Sequence, residues 1–280
     1  DRSALTYLEA TKQSAKGMLK TFARFQSALS LSGANIDPYQ TSHPMPRERI
    51  GNLETLARAS AYFDKEDSPA LQARHDMMRA KIAVYTEGAS GAKKLFRKNP
   101  SSPGAAYGDA VATYLYGNPK SALSKADALI AASPKNPYFH ELRGDVLMKA
   151  NKPEQAAASY ASAVKLDPAK SGILQIAYGQ ALLATGKPDM IRKSVGELRK
   201  GLDRDKEFVS GYTFLAQAYG QLGEVADAEL ATAEQHFYSG KYQDAKVFAA
   251  RAQSKVKRGS PTWIRAQDII NFKQPGTKNT

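Results

Sequence analysis

The chain carries four histidines and no cysteine. His43, His75, His140 and His236 lie far apart, and no two form an HxxxH pair that would set both imidazoles on one helical face for a metal. Without cysteine there is no thiolate nucleophile, no disulfide framework and no thiolate metal site. Neither a G-x-S-x-G elbow nor a glycine-rich phosphate loop occurs. One segment has the composition of a shaped loop: NIDPYQTSHPMPRERI, residues 35–50. Pro44 and Pro46 fix φ after His43 and disfavour helix there, so its imidazole points in a restricted direction. A lone histidine in a loop is, read by itself, mostly just a polar loop residue. Arg47 and Arg49 follow, and can pair with carboxylates, although arginines in such positions are mostly solvated.

The elements around this loop read as helices. No alternating run of β-branched residues suggests a strand, so the expected fold is all-α. With 280 residues, 42% of them hydrophobic and 24% charged, the chain can bury a large core. No run of 18 apolar residues occurs. A net charge of +13 implies attraction to polyanions: nucleic acid, an anionic lipid surface or an acidic protein. The basic clusters Lys93, Lys94, Arg97, Lys98 and Lys255, Lys257, Arg258 read as solvated helix faces. No RNP, zinc-finger or recognition-helix pattern accompanies them, so nucleic acid is not the expected partner.

Periodicity supplies the architecture. Pro100, Pro134 and Pro168 are spaced by 34, as are Gly117 and Asn151, and Ala122 and Ala156. In NPYFHELRGDVLMKANKPEQAAASYASAVKLDP, Gly144 is small where two helices cross and Leu147 fills the space between them. Asn151 makes a left-handed turn, Ala156 and Ala163 admit the next helix, Tyr160 packs the hinge and Pro168 ends the unit. This is the tetratricopeptide repeat (TPR) pattern, in which helix pairs stack into a right-handed superhelical array because none can bury its apolar face alone. The helix within RKSVGELRKGLDRD is expected about three residues late. The turn glycines Gly223 and Gly240 are only 17 apart, half a repeat, so the helix between them must serve two pairs. Trp263 marks a capping helix, and residues 271–280 read as a tail. Residues 46–63 and 70–86 are expected to be two helices leading into an array at 101–270, with 51–100 as linking helices and a first divergent repeat. Counted in the repeat frame, Tyr107, Tyr114, Tyr138, Glu141, Ile176 and Gln217 point to the concave face, where aromatic and polar groups suit capture of a protein or peptide.

The order D-R-x-A-L-x-Y-L, then D-P-Y-x-x-S-H-P-x-P-x-E-R-I, then repeats, then W-x-R-A-Q-D-I resembles the BepA-type (YfgC-like) zinc metallopeptidases of bacterial envelopes, which end in a TPR domain. The resemblance implies that residues 1–50 are the remnant of a metallopeptidase domain, whose HExxH helix and third zinc ligand, a glutamate, lie before Asp1. Zinc would then belong to the parent protein and not to this chain, which is expected to bind and not to cut. Asp1 would accept a hydrogen bond from a zinc-ligating histidine. His43 would belong to the active-site loop, as an additional zinc ligand or a hydrogen-bond donor to substrate. The resemblance also implies a periplasmic location, partners among substrate or assembly-machinery proteins, and peripheral contact with an anionic membrane. A free-standing TPR adaptor explains the repeats equally well, but not the S-H-P loop.

Overall fold

A computed structural model describes residues 2–31 and 46–273, apart from the side chains of Leu29 and residues 46–49. Every regular element among them is a helix. Two compact units are distinguished, Asp1–Asp76 and Met77–Thr280.

In the first unit, α1 (Arg2–Ala10) and α2 (Lys16–Leu31) both pack on α3 (Pro46–Arg58). Ala15, Phe22, Leu53 and Ala57 are its buried apolar residues. The sequence suggests that α3 runs to Phe63, yet it stops at Arg58. The Ser60 hydroxyl accepts from the Tyr62 amide at 3.1 Å, and the Phe63 carbonyl accepts from Ser14, so both backbone groups are taken from a helical ladder. Lys16 and Arg58 flank the Phe63 ring at 5.1 and 5.3 Å.

The second unit is the array. It starts within α4 (Pro69–Glu87) and continues through α5 (Gly91–Leu95), α6 (Pro103–Tyr116), α7 (Pro119–Ala132), α8 (Pro137–Lys149), α9 (Pro153–Leu166), α10 (Gly172–Ala184) and α11 (Pro188–Arg204). α12 (Val209–Gln221), α13 (Val225–Tyr238), α14 (Tyr242–Gln253) and α15 (Pro261–Asn271) complete it. Proline opens α6, α7, α8 and α9 where no intrahelical donor is needed, and Ser102, Asn118 and Asn136 cap three of them. From α5 to α15 each helix packs on the next, as stacked helix pairs require.

The α8–α9 pair shows why the repeat has its signature residues. A Cβ on Gly144 would lie 2.7 Å from the Tyr160 ring, so only glycine lets that ring lie across α8. Leu147, Ala156 and Ala163 are fully buried around it. Asn151 has φ 56°, the left-handed turn between the two helices. The next pair differs from expectation in detail. α11 does not start late: Pro188 opens it on schedule, and the helix is longer, with 17 residues against 14 in α9. Ser194 is its small residue against α10, donating to the Gly179 carbonyl at 2.8 Å. Further on, α13 packs against both α12 and α14, so the half-repeat spacing does make one helix belong to two pairs.

Two glycine substitutions should act in opposite directions. Gly144→Val overpacks against Tyr160 and should cost about 1–3 kcal/mol. Gly196→Ala, within α11 and with nothing near its Cβ, should gain about 1 kcal/mol. Urea denaturation of both variants measures the two signs.

Candidate protein-binding groove

The first helices of three successive pairs, α4, α6 and α8, share a face. A flat row would set the α4 and α8 axes roughly 16–20 Å apart. Lys81 Nζ of α4 meets Glu141 Oε1 of α8 at 3.1 Å, and Asn136 Nδ2 lies 3.5 Å from Met77 Sδ. These contacts join α4 to α8 across α6, and the face they span is a candidate groove.

Its floor is polar and held from below. Tyr107 of α6 is 3% exposed and lies 5.9 Å from Phe139, centroid to centroid. One turn beyond Glu141, Asp145 accepts the Tyr160 hydroxyl at 2.6 Å. The close approach at Gly144 thus brings a second-helix tyrosine through to a groove carboxylate. Lys149 closes α8, donating to the Tyr114 and Leu115 carbonyls at 2.6 and 3.0 Å, with its ammonium 5.3 Å from the Tyr114 ring. One edge is apolar: Met78, Ile82 and Tyr85 follow one another along α4 at helical spacing and are 47, 54 and 55% exposed.

Burial sets the electrostatics. Asp145 is raised to about 6, chiefly by desolvation; Glu141 adds to this, while the Tyr160 hydrogen bond and Lys81 oppose it. Burial disfavours the Lys81 ammonium, but Tyr107, Glu141 and Asp145 outweigh it and hold the ammonium above its usual range. Burial likewise raises the Tyr107 and Tyr114 phenols, so both are hydrogen-bonding groups at neutral pH and not bases.

Of the residues expected on the concave face, Tyr107, Tyr114 and Glu141 are brought together. Tyr138 is half-buried and packs against the same apolar cluster. Ile176 does not belong with them: it is 1% exposed. A Cβ on Gly201 would lie 2.5 Å from Ile176 Cγ1, so this side chain fills the space between α10 and α11. Gln217 is exposed on α12, apart from the cluster. His43 and Asp1 lie outside the described residues, as do the side chains of Arg47 and Arg49.

Sequence reasoning missed Lys81, Asp145 and the apolar edge. Asp145 follows Glu141 by one turn and was legible. The α4 edge was not, because Gly88, the turn residue of that pair at φ 78°, precedes Gly117 by 29 and not 34. The five-residue α5 accounts for the shortfall.

Nothing in this groove is a nucleophile aimed at a substrate. Among the described residues no three His, Asp or Glu side chains converge as metal ligands. No described helix is long and apolar enough to cross a membrane. The arrangement can bind: an apolar edge holds a side chain while tyrosines and carboxylates offer hydrogen bonds.

No family model matches the chain. Over 232 residues it is 26% identical to the "Beta-barrel assembly-enhancing protease" of Escherichia coli strain K12, covering 78% of this chain and 45% of that protein. The protein of the same name from Shigella flexneri gives the same figures. The chain thus spans less than half the length of these relatives. Among solved structures it is similar to MamA, at 18% identity and TM-score 0.45 over 57% of this chain and 90% of MamA. A further similarity is to YrrB, described as "a TPR protein with an unusual peptide-binding site", at 15% identity and TM-score 0.47 over 72% of this chain and 96% of YrrB.

Asp145 makes stability depend on pH. Its folded pKa exceeds that of an unfolded aspartate, so its contribution is full below about pH 4 and is lost as pH rises through about 6. Asp145→Asn keeps an oxygen for Tyr160 and removes the buried charge. It should stabilise at pH 8 by about 1–3 kcal/mol, with the difference closing at pH 4. Thermal melts at the two pH values test this.

Proposed function

We propose that this chain is the protein-binding repeat region of a periplasmic zinc-dependent metalloprotease that acts in the quality control of outer-membrane proteins. The observation that carries the binding role is the α4 edge, where three large apolar side chains stand exposed beside a buried polar cluster. A polypeptide segment would lay an apolar side chain against Met78 and Ile82, and hydrogen-bond to groups around Tyr114 and Asp145. Similarity to proteins named for β-barrel assembly supports substrate or assembly-machinery proteins as the class of partner. The +13 charge is compatible with peripheral contact at an anionic membrane.

The protease role rests on the same similarity and on the S-H-P loop. In the whole protein, an HExxH helix would hold zinc, which would supply an activated water for peptide hydrolysis. By the family resemblance, His43 would be the loop residue that meets the site, and Asp1 the carboxylate that orients a ligand histidine.

Binding of a urea-unfolded outer-membrane β-barrel protein, diluted into buffer, tests the groove. Ile82→Asp should weaken it about tenfold without lowering the melting temperature, since the position is exposed. Unchanged affinity would remove the groove from the binding role. On the whole protein, casein cleavage should require zinc and change in His43→Ala. A parent with neither zinc nor an HExxH helix is instead a repeat adaptor.

A further inference from the structure

A second cleft lies at the other end of the array, where α13 belongs to two helix pairs. Ala231 of α13 is buried against α12, and Ala233 against α14. Between those two packed faces, Asp227, Leu230, Glu234 and Tyr238 form a row along α13 at helical spacing. That row looks into a cavity of about 670 Å³, walled by α11 and α12 on one side and by α15 on the other. A regular repeat would leave this side of a second helix on the outer surface. The half-repeat step brings α15 over it and encloses it.

The chemistry of the walls limits what fits. Tyr238, half-buried, stacks on the buried Tyr212, with centroids 5.1 Å apart and planes 13° from parallel. Leu230 supplies apolar surface beside it, backed by the buried Leu202 and Leu215. The charges come in both signs and are largely satisfied internally. Arg265 Nε donates to Glu234 Oε1 at 2.7 Å and Nη2 reaches the Tyr238 hydroxyl at 3.4 Å. Thr262 Oγ1 donates to Asp227 at 2.8 Å. Three cations, Arg199, Lys206 and Arg265, balance three carboxylates, Asp203, Asp227 and Glu234. In a chain of net charge +13 this cleft is locally neutral, which does not suit a polyanion. An aromatic surface with fixed hydrogen-bonding groups at its rim suits an uncharged planar side chain on an extended backbone.

We propose that the cleft between α11, α12, α13 and α15 is a second polypeptide site, which takes an extended segment by one aromatic side chain stacked on Tyr238, which Tyr212 backs. The array then has two binding sites, the groove on α4, α6 and α8 and this cleft, and can hold two stretches of one unfolded chain. This second site stands independently of the groove.

The probe is a series of blocked peptides of alternating glycine and serine with one central Trp, Phe, Ala, Lys or Glu, followed by the methyl NMR signals of Leu202, Leu215 and Leu230. The Trp and Phe peptides should saturate these shifts about tenfold more tightly than the Ala peptide. Their affinity should change less than about twofold between low and physiological salt, because no net charge is neutralised. Tyr238→Ala should abolish the preference for aromatics, while Ile264→Asp, exposed on α15 and outside the cleft, and Ile82→Asp in the groove should leave it intact. If Tyr238→Ala unfolds, the wild-type peptide and salt series decides. Equal affinity for the Trp and Ala peptides, shifts confined to the groove, or a strongly salt-dependent preference for the Glu peptide would each overturn the proposal.

Discussion

The contact among Gly144, Tyr160 and Asp145 ties the packing of the array to its candidate binding surface. Gly144 has no Cβ, so the Tyr160 ring can lie across α8. Because the ring lies there, its hydroxyl reaches Asp145 on the groove side, 2.6 Å away. A carboxylate in so dry a place is costly when charged, and the phenol is what makes it tolerable. Glu141, one turn earlier on the same helix, holds Lys81 and with it the apolar edge of α4. The floor of the groove is therefore set by how two helices cross beneath it. A binding surface built this way is arranged before a partner arrives, which lowers the ordering cost of association.

Two departures from the 34-residue repeat create most of what is specific to this chain. The first is the short α5, five residues long, which compresses the leading pair and sets α4 beside α6 with Met78, Ile82 and Tyr85 uncovered. The second is the half-repeat at Gly223 and Gly240, which gives α13 two packed faces and a third turned into a cleft. The regular pairs between them supply rigidity. Leu147, Ile176 and Leu198 are almost fully buried there, each contributing about 1.5–3 kcal/mol of hydrophobic stabilisation.

The regular part of the fold was legible because its constraints are local and repeat. Glycine at the crossing, alanines at close approach and asparagine at the left-handed turn follow the repeat pattern, and the α8–α9 pair uses each as that pattern implies. The double role of α13 was legible too, since 17 residues between turn glycines leave no room for two helices. Ile176 was misplaced because position in a repeat frame cannot reveal that Gly201 opens a slot for it on the next helix. The apolar edge was hidden by the truncated α5, which broke the count. The cleft depends on α15 folding over α13, a long-range event with no local signature.

Protein capture by the groove is the claim on which the functional reading turns. Ile82 on its edge and Ile264 on α15 are about equally exposed, at 54 and 51%. Ile264 lies in neither the groove nor the cleft. A benzoylphenylalanine placed at each position in turn, with an unfolded outer-membrane β-barrel polypeptide as the probe, separates a site from general apolar stickiness. Cross-linking confined to position 82 is the result expected of a binding groove. Equal cross-linking at both positions, or none at 82, would contradict it.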